Sequence, residues 1–289
     1  MREVASRQEL RDVLQSWQQA GQKVALVPTM GNLHAGHLAL VTEARELADR
    51  VVATIYVNPT QFGVGEDLDS YPRTPESDRT DLRQSGCDLL FAPDEDTVYP
   101  RGLNEAFKLA APPGLTSILE GKSRPGHFDG VVTVVARLFC LVNPDVAIFG
   151  EKDYQQLLII RSMVEDMGFD IHIHGVETVR EGSGLALSSR NNYLDSQQNA
   201  AARNLFAVLQ ETAELGAVAG ADFRSLEQQA EERLKAHGLA PEYVAIRRAG
   251  DLRKPRAGDK ALRILAAARC GTTRLIDNLE LNRACNHDD

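Results

Sequence analysis

Val24-Ala25-Leu26-Val27-Pro28-Thr29-Met30-Gly31-Asn32-Leu33-His34-Ala35-Gly36-His37-Leu38 runs from an apolar stretch through a glycine-bearing turn into a helical pattern. The apolar stretch reads as a buried strand, and the turn places two histidines and two glycines at a strand-to-helix junction. Such junctions bind phosphates in α/β sheets, because the first helical turn offers unpaired N–H groups and the glycines let a ligand approach the backbone. Imidazoles in the same turn donate to phosphate oxygens as negative charge grows on them. Gly31 and Gly36 also have the glycine spacing of a P-loop, but His37 and Leu38 stand where that motif needs lysine and a hydroxyl. The P-loop reading loses both chemically necessary residues, and histidine as the phosphate donor replaces it.

Working outward, apolar runs alternate with amphipathic ones: Lys23 to Val27, His37 to Arg50, Val51 to Val57, Thr74 to Ser85, Cys87 to Phe91, Asp129 to Val142, Val146 to Phe149 and Asp153 to Met167. This alternation predicts an α/β fold, a Rossmann-like parallel sheet with flanking helices. Val51 to Val57 is apolar almost throughout, as a strand buried on both faces requires, and Asn58-Pro59 ends it where ligand-binding loops cluster. From about Ser196 the chain becomes rich in alanine, glutamine and glutamate over Ala200 to Leu215 and Phe223 to His237, followed by Tyr243 to Arg247 and Leu262 to Ala267. A smaller C-terminal α+β domain is expected there, with residues 1–190 forming the larger domain and 191–289 the smaller one.

The 289 residues are 43% apolar and 25% charged, enough for a sizeable core. The net charge of -9 gives no general attraction for nucleic acid, while small anionic ligands remain compatible with local cations. Cys87, Cys140, Cys270 and Cys285 are far apart, and the first three lie in or beside apolar runs, so they are expected to be reduced structural thiols. No apolar signal core opens the chain and no uncharged stretch reaches membrane-spanning length, which predicts a cytoplasmic protein without a membrane partner. The tail Asn286 to Asp289 is expected to fray. His172 and His174 fall on one face of an expected strand, where a solvated or partly buried pair is favoured over a zinc site.

Five further stretches occur in order: Val57-Asn58-Pro59-Thr60-Gln61-Phe62, Gly121 to Gly130, Phe149-Gly150-Glu151-Lys152-Asp153-Tyr154-Gln155-Gln156, Ala186 to Asn191, and Thr273-Arg274-Leu275-Ile276-Asp277-Asn278. With the opening turn, they make the chain resemble the pantoate–β-alanine ligases, within the nucleotidyltransferases that carry a His-x-Gly-His signature. The resemblance spans essentially the whole chain. It implies an ATP-dependent ligation in two steps, through pantoyl adenylate and pyrophosphate to pantothenate and AMP, in a cytoplasmic homodimer. His-x-Gly-His by itself does not choose the acid that is adenylated, and a noncatalytic nucleotide-binding module is the reading from another class.

The resemblance also assigns residues. His34, His37, Lys152 and Arg190 become catalytic, with His37 as the proton donor and the two cations on the triphosphate. Met30, Gly31, Asn32, Leu33, His34, Ala35, Gly36 and His37 face ATP, as do Gly150, Glu151, Lys152, Asp153, Val179, Leu187, Ser188, Ser189 and Arg190. Gln61 and Gln156 would orient pantoate, with Gln61 also meeting β-alanine and Asn58 supporting them. ATP implies Mg2+, for which Asp78 is the candidate ligand, and the smaller domain is expected to close as a lid. Three positions depart from the family: the Gly182-Ser183-Gly184 loop is more flexible and less acidic than usual, Leu187 stands for methionine, and Cys140 replaces an amide expected to support the site.

Overall fold

The structure, a computed structural model, describes residues 1–63 and 65–282; Cys285 and the tail Asn286 to Asp289 lie outside the described residues. Two compact units divide the chain, the first formed by Met1–Glu151 and Gln156–Glu177, the second by Lys152–Gln155 and the residues from Thr178 onward.

The first unit contains β1 (Arg2–Val4), β2 (Val24–Thr29), β3 (Arg50–Ile55), β4 (Leu89–Phe91), β5 (Val146–Gly150) and β6 (His172–Val176) in the order β1-β4-β3-β2-β5-β6. Every neighbouring pair is parallel. Its principal helices are α1 (Arg7–Gln19), α2 (Ala35–Leu47), α3 (Pro75–Gln84), α8 (His127–Val142) and α9 (Tyr154–Met167); the short α4 (Glu95–Val98), α5 (Gly102–Glu105), α6 (Pro113–Thr116) and α7 (Leu119–Ser123) link β4 to α8. Side chains alternate across the sheet as strand geometry demands. Leu26, Val52, Leu89 and Ala147 share a core with α1 and α8, whereas Ala25, Val27, Val51, Ala53, Leu90 and Ile148 share the opposite core with Leu40, Val41 and Ala44 of α2 and Leu82 of α3. Both faces are covered, so the strands read as continuous apolar runs.

The strand order reverses between β2 and β5, the position at which parallel sheets open a crevice for ligands. Pro28 carries no N–H, and β2 pairs with β5 only at Ala25 and Leu26. The two strands therefore separate toward their carboxyl ends, directly below the His34–His37 turn.

The second unit packs α10 (Ser196–Ala202), α11 (Asn204–Gly216) and α12 (Phe223–Ala236) on an antiparallel sheet of β7 (Ala240–Arg248), β8 (Ala261–Cys270) and β9 (Thr273–Asn282). The single helix expected over Ala200 to Leu215 is two, interrupted at Arg203. No described helix is long and apolar enough to cross a membrane. Cys87 and Cys270 are buried thiols, and burial pushes Cys87 up to about 11. Cys140 differs from the expectation: it is exposed on the last turns of α8, on the outward side of a helix whose Leu138, Phe139 and Val142 stay buried in the core.

Candidate active site

After β2 the backbone turns through two left-handed residues, Gly31 at φ 80° and Asn32 at φ 50°. Glycine is required at the first, since a Cβ would stand 3.0 Å from Asp78 Oδ2 and 3.1 Å from Ile55 Cγ2; asparagine tolerates the second. The carboxylate of Asp78, on α3 and 1% exposed, accepts from the N–H of Asn32 at 3.0 Å, the N–H of Leu33 at 2.9 Å and the hydroxyl of Thr74 at 3.0 Å. Asp78, the candidate magnesium ligand, thus supports the turn from α3. Each of its oxygens accepts from one backbone N–H of the turn.

The turn then caps α2 with histidines instead of the usual Ser and Glu. His34 is the N-cap, its Nδ1 accepting from the N–H of Gly36 at 3.1 Å, and His37 Nδ1 accepts from the N–H of His34 at 3.4 Å. A neutral imidazole that accepts at Nδ1 carries its proton on Nε2, so the hydrogen-bond pattern assigns the Nε2–H tautomer to both rings. Their centroids are 4.1 Å apart, and no acidic side chain occupies the first turn of α2. The helix start thus presents backbone N–H groups, a positive dipole end and two imidazole donors together.

Past β3, a 3-10 turn at Pro59–Gln61 brings Gln61 beside this loop, its amide 3.1 Å from Met30 Sδ. Asn58 is a buried hub. Its amide donates to Gln61 Oε1 at 3.1 Å and to the Gly130 carbonyl at 3.2 Å, while its Oδ1 accepts from the hydroxyls of Tyr99 at 2.8 Å and Thr60 at 3.0 Å. Asn58 thus does more than form the turn its place before proline suggests. At Gly130 a Cβ would meet the Thr60 carbonyl oxygen at 2.2 Å, so α8 reaches the Gln61 turn only because this position is bare. Gly130→Ala is expected to lower the melting temperature, which thermal denaturation measures, because the added methyl group forces α8 away from the Gln61 turn.

Three residues that sequence reasoning left without a role brace the same turn. Arg124 pairs with Glu66 at 2.6 Å, His127 Nδ1 donates to the Gln61 carbonyl at 2.8 Å, and His127 Nε2 faces Arg124 Nη1 at 3.0 Å. Arg124 and His127 lay inside the quoted Gly121 to Gly130 stretch; Glu66, 58 residues from its partner, left no signal. Burial alone raises the Glu66 pKa, but the hydrogen bond and charge of Arg124 outweigh it and hold the carboxyl at about 2. A depressed carboxylate stabilises the fold above its unfolded pKa near 4.5 and loses that contribution as pH falls toward 2. Urea midpoints recorded from pH 6 to pH 3 are therefore expected to fall more steeply in the natural protein than in Glu66→Gln.

Gly150 ends β5, Glu151–Asp153 form a 3-10 turn, and Gln156 is half-buried in the first turn of α9. Within the second unit, the Lys152 carbonyl accepts from the amide of Asn278 at 2.9 Å. Leu187 N–H donates to the Val179 carbonyl at 3.0 Å around the Arg180–Ala186 bridge. Ser188 caps the 3-10 turn Ser189–Tyr193 by accepting from the N–H of Arg190 at 3.3 Å, and Ser188, Ser189 and Arg190 are half-buried. The Gly182-Ser183-Gly184 loop is a closed turn: Gly184 N–H donates to Glu181 O at 2.8 Å and Glu181 N–H to Leu185 O at 2.9 Å. Gly184, at φ 89°, lies against the Phe206 ring where a Cβ would stand 2.6 Å from Cδ1. Cys140 follows Gly130 by ten residues, about 15 Å along α8, so its departure does not touch the Asn58 hub. His174 pairs with Glu43 at 3.2 Å, and the His172 and His174 rings lie 6.2 Å apart.

A parallel sheet with a histidine-capped turn above its switch point defines an α/β protein of the Rossmann-like, nucleotide-handling class. Residues 2–280 match the model of the family described as pantoate-beta-alanine ligase, and the chain belongs to that family. It is 54% identical over 288 residues to the pantothenate synthetase of Thioalkalivibrio sulfidiphilus, covering 98% of each chain, and 51% identical over 275 residues to that of Shewanella loihica, covering 95% and 97%. Among solved structures, the pantothenate synthetase of Thermus thermophilus superposes with a TM-score of 0.91 at 46% identity, covering 98% of this chain and 100% of that one. The pantoate-beta-alanine ligase of Francisella tularensis, solved with beta-gamma ATP and beta-alanine, gives 0.82 at 33% identity, covering 96% and 97%.

Proposed function

We propose that the two imidazoles fixed as Nε2–H donors at the start of α2 serve the ATP chemistry of this family. The chain is a pantoate–β-alanine ligase, consuming ATP to form pantothenate, AMP and pyrophosphate. In the first step a pantoate carboxylate oxygen attacks the α-phosphorus, the bond to the bridging oxygen breaks, and pyrophosphate departs. In the second the amine of β-alanine attacks the acyl carbon of pantoyl adenylate, loses a proton and expels AMP.

Negative charge grows on the α-phosphate and on pyrophosphate, so rate is gained from positioned donors and cations rather than from a protein nucleophile. His34 and His37 donate hydrogen bonds through Nε2–H to the phosphate oxygens, His37 being the donor toward the oxygens that gain charge. Lys152 and Arg190 carry the positive charge, a compact ammonium and a planar fork suited to phosphate oxygens. The backbone of Met30 to Gly36 and the run Gly150 to Asp153 complete the nucleotide contacts with Val179, Leu187, Ser188 and Ser189. The neutral amides of Gln61, which Asn58 sets, and of Gln156 orient pantoate without quenching its nucleophilic carboxylate. What supports this part is the tethering of Gln61 to both Met30 and Asn58.

Mg2+ enters with ATP, held by phosphate oxygens and water, the mode its reluctant dehydration favours. The residues from 191 onward act as a lid that dehydrates the adenylate. The enzyme works as a cytoplasmic homodimer. The reading is tested by mass-spectrometric detection of pantothenate with equimolar AMP from ATP, Mg2+, pantoate and β-alanine; omission of any one substrate should abolish the product, and formation of ADP in place of AMP would overturn it.

A further inference from the structure

The stretch Thr273 to Asn278 carries none of the roles assigned above, although it lies on β9, an edge strand of the small sheet whose apolar side chains Leu275 and Leu281 join the core of the second unit. It also buries two polar residues. Asp277 and Asn278 are 3% and 4% exposed, and each reaches a segment that bears a phosphate-facing cation.

Asn278 is fixed from one side and holds on the other. Its Oδ1 accepts from Arg263 Nη1 at 2.6 Å, and its Nδ2 donates to the backbone carbonyl of Lys152 at 2.9 Å. Arg263 is itself clamped, its guanidinium 3.7 Å above the ring of Tyr154, whose hydroxyl donates to the Ala249 carbonyl at 3.0 Å. Arg263 and Tyr154 thus lock the rotamer of the amide that holds Lys152. This arrangement accounts for the fold of the segment: Lys152–Gln155 belong to the second unit although their neighbours on both sides belong to the first.

Asp277 performs the parallel task for the other cation. It takes Arg180 in a two-pronged pair at 2.7 and 2.8 Å, and Arg180, stacked 3.7 Å over Phe206, donates to the Gly184 carbonyl at 3.0 Å. The bridge from Arg180 to Ala186 then leads directly into Leu187-Ser188-Ser189-Arg190. Neighbouring residues of one strand thus anchor the backbone under Lys152 and the loop that ends in Arg190. A buried ionic pair contributes little net stability over an apolar replacement, so stability alone does not explain the choice of residues.

We infer that Asp277 and Asn278 are positioning residues for adenylate formation, holding the two cation-bearing segments in fixed register, with Asn278 acting through the Lys152 carbonyl. The inference rests on the reading of Lys152 and Arg190 as the cations of the first step. A displacement near 1 Å at such a group costs about 100-fold in rate.

The test uses Asn278→Asp, which keeps an acceptor for Arg263, removes the donor to Lys152 and adds a carboxylate charge that faces the Arg263 guanidinium. Its melting temperature should stay close to that of the natural protein. Exchange of labelled pyrophosphate into ATP with pantoate should fall about 100-fold, while aminolysis of supplied pantoyl adenylate by β-alanine is little changed. Adding Asn278→Asp to Lys152→Ala should lower exchange no further, because the amide acts through the lysine. Normal exchange by Asn278→Asp, or a parallel fall of both half-reactions with the melting temperature, would overturn the inference while leaving the ligase reading intact. Normal exchange by Lys152→Ala would remove its premise, and a natural protein without exchange would overturn the ligase reading itself.

Discussion

Lys152→Ala and His37→Ala are each expected to slow pantoate-dependent adenylate formation by about 100- to 1,000-fold, the usual loss when one donor is removed from a developing anion. The binding constant for pantoate should barely move. The asymmetry follows from where charge changes: pantoate is already an anion in the ground state, whereas the phosphate oxygens gain charge only as the α-phosphorus bond to pyrophosphate breaks. His37 carries a second expectation through its cap. Its Nδ1 accepts from the N–H of His34, so alanine removes an acceptor as well as the Nε2–H donor. His37→Gln, which offers an acceptor and a donor, should recover the helix start and part of the rate. Pyrophosphate exchange measures the first quantity and calorimetric titration with pantoate the second; an equal loss of both would contradict the assignment.

Asp78→Ala should be the most damaging change that touches no substrate. It strips the acceptor from the N–H groups of Asn32 and Leu33, and leaving two such buried donors unpaired costs about 2–6 kcal/mol. Gly31 and Asn32 hold left-handed conformations that only a well-anchored loop maintains. The melting temperature and adenylate formation should therefore fall together. Thr74→Val removes the hydroxyl contact to the same carboxylate and leaves both backbone bonds, so its effect should be much smaller. If added Mg2+ restored Asp78→Ala, the carboxylate would be a metal ligand after all.

Much of the fold was legible because strands buried on both faces have to be apolar throughout. Val24 to Val27, Val51 to Val57 and Val146 to Phe149 announced themselves in that way, and the glycines and histidines between β2 and α2 marked the turn. What failed to appear depended on partners remote in sequence. Asp78 drew notice only as a candidate magnesium ligand, because nothing local says that the N–H groups of residues 32 and 33 point at it. β9 was quoted as a motif rather than a strand, since Asp277 and Asn278 interrupt its apolar alternation with buried polar groups. Arg2–Val4 is three residues long, too short for any period to emerge. Cys140 sits in an apolar run yet is exposed, which the run alone could not distinguish from burial. Gly130 carried no message as one glycine among 22, and acquires one only from the Thr60 carbonyl beside it.

At the site, the sequence delivered the residue types and the structure their states. Two histidines flanking a glycine implied donors to phosphate, but their tautomers follow from the backbone N–H groups of Gly36 and His34. Asn58 before a proline read as a turn former with a supporting role, and four hydrogen-bonding partners make it the hub that sets Gln61.

The central claim is that this chain activates pantoate as an acyl adenylate before any amine is needed. Exchange of labelled pyrophosphate into ATP, measured with Mg2+ and pantoate in the absence of β-alanine, tests it most directly. The account predicts rapid exchange that disappears when pantoate is omitted. Exchange that is absent until β-alanine is added, from a folded protein that binds ATP, would contradict it.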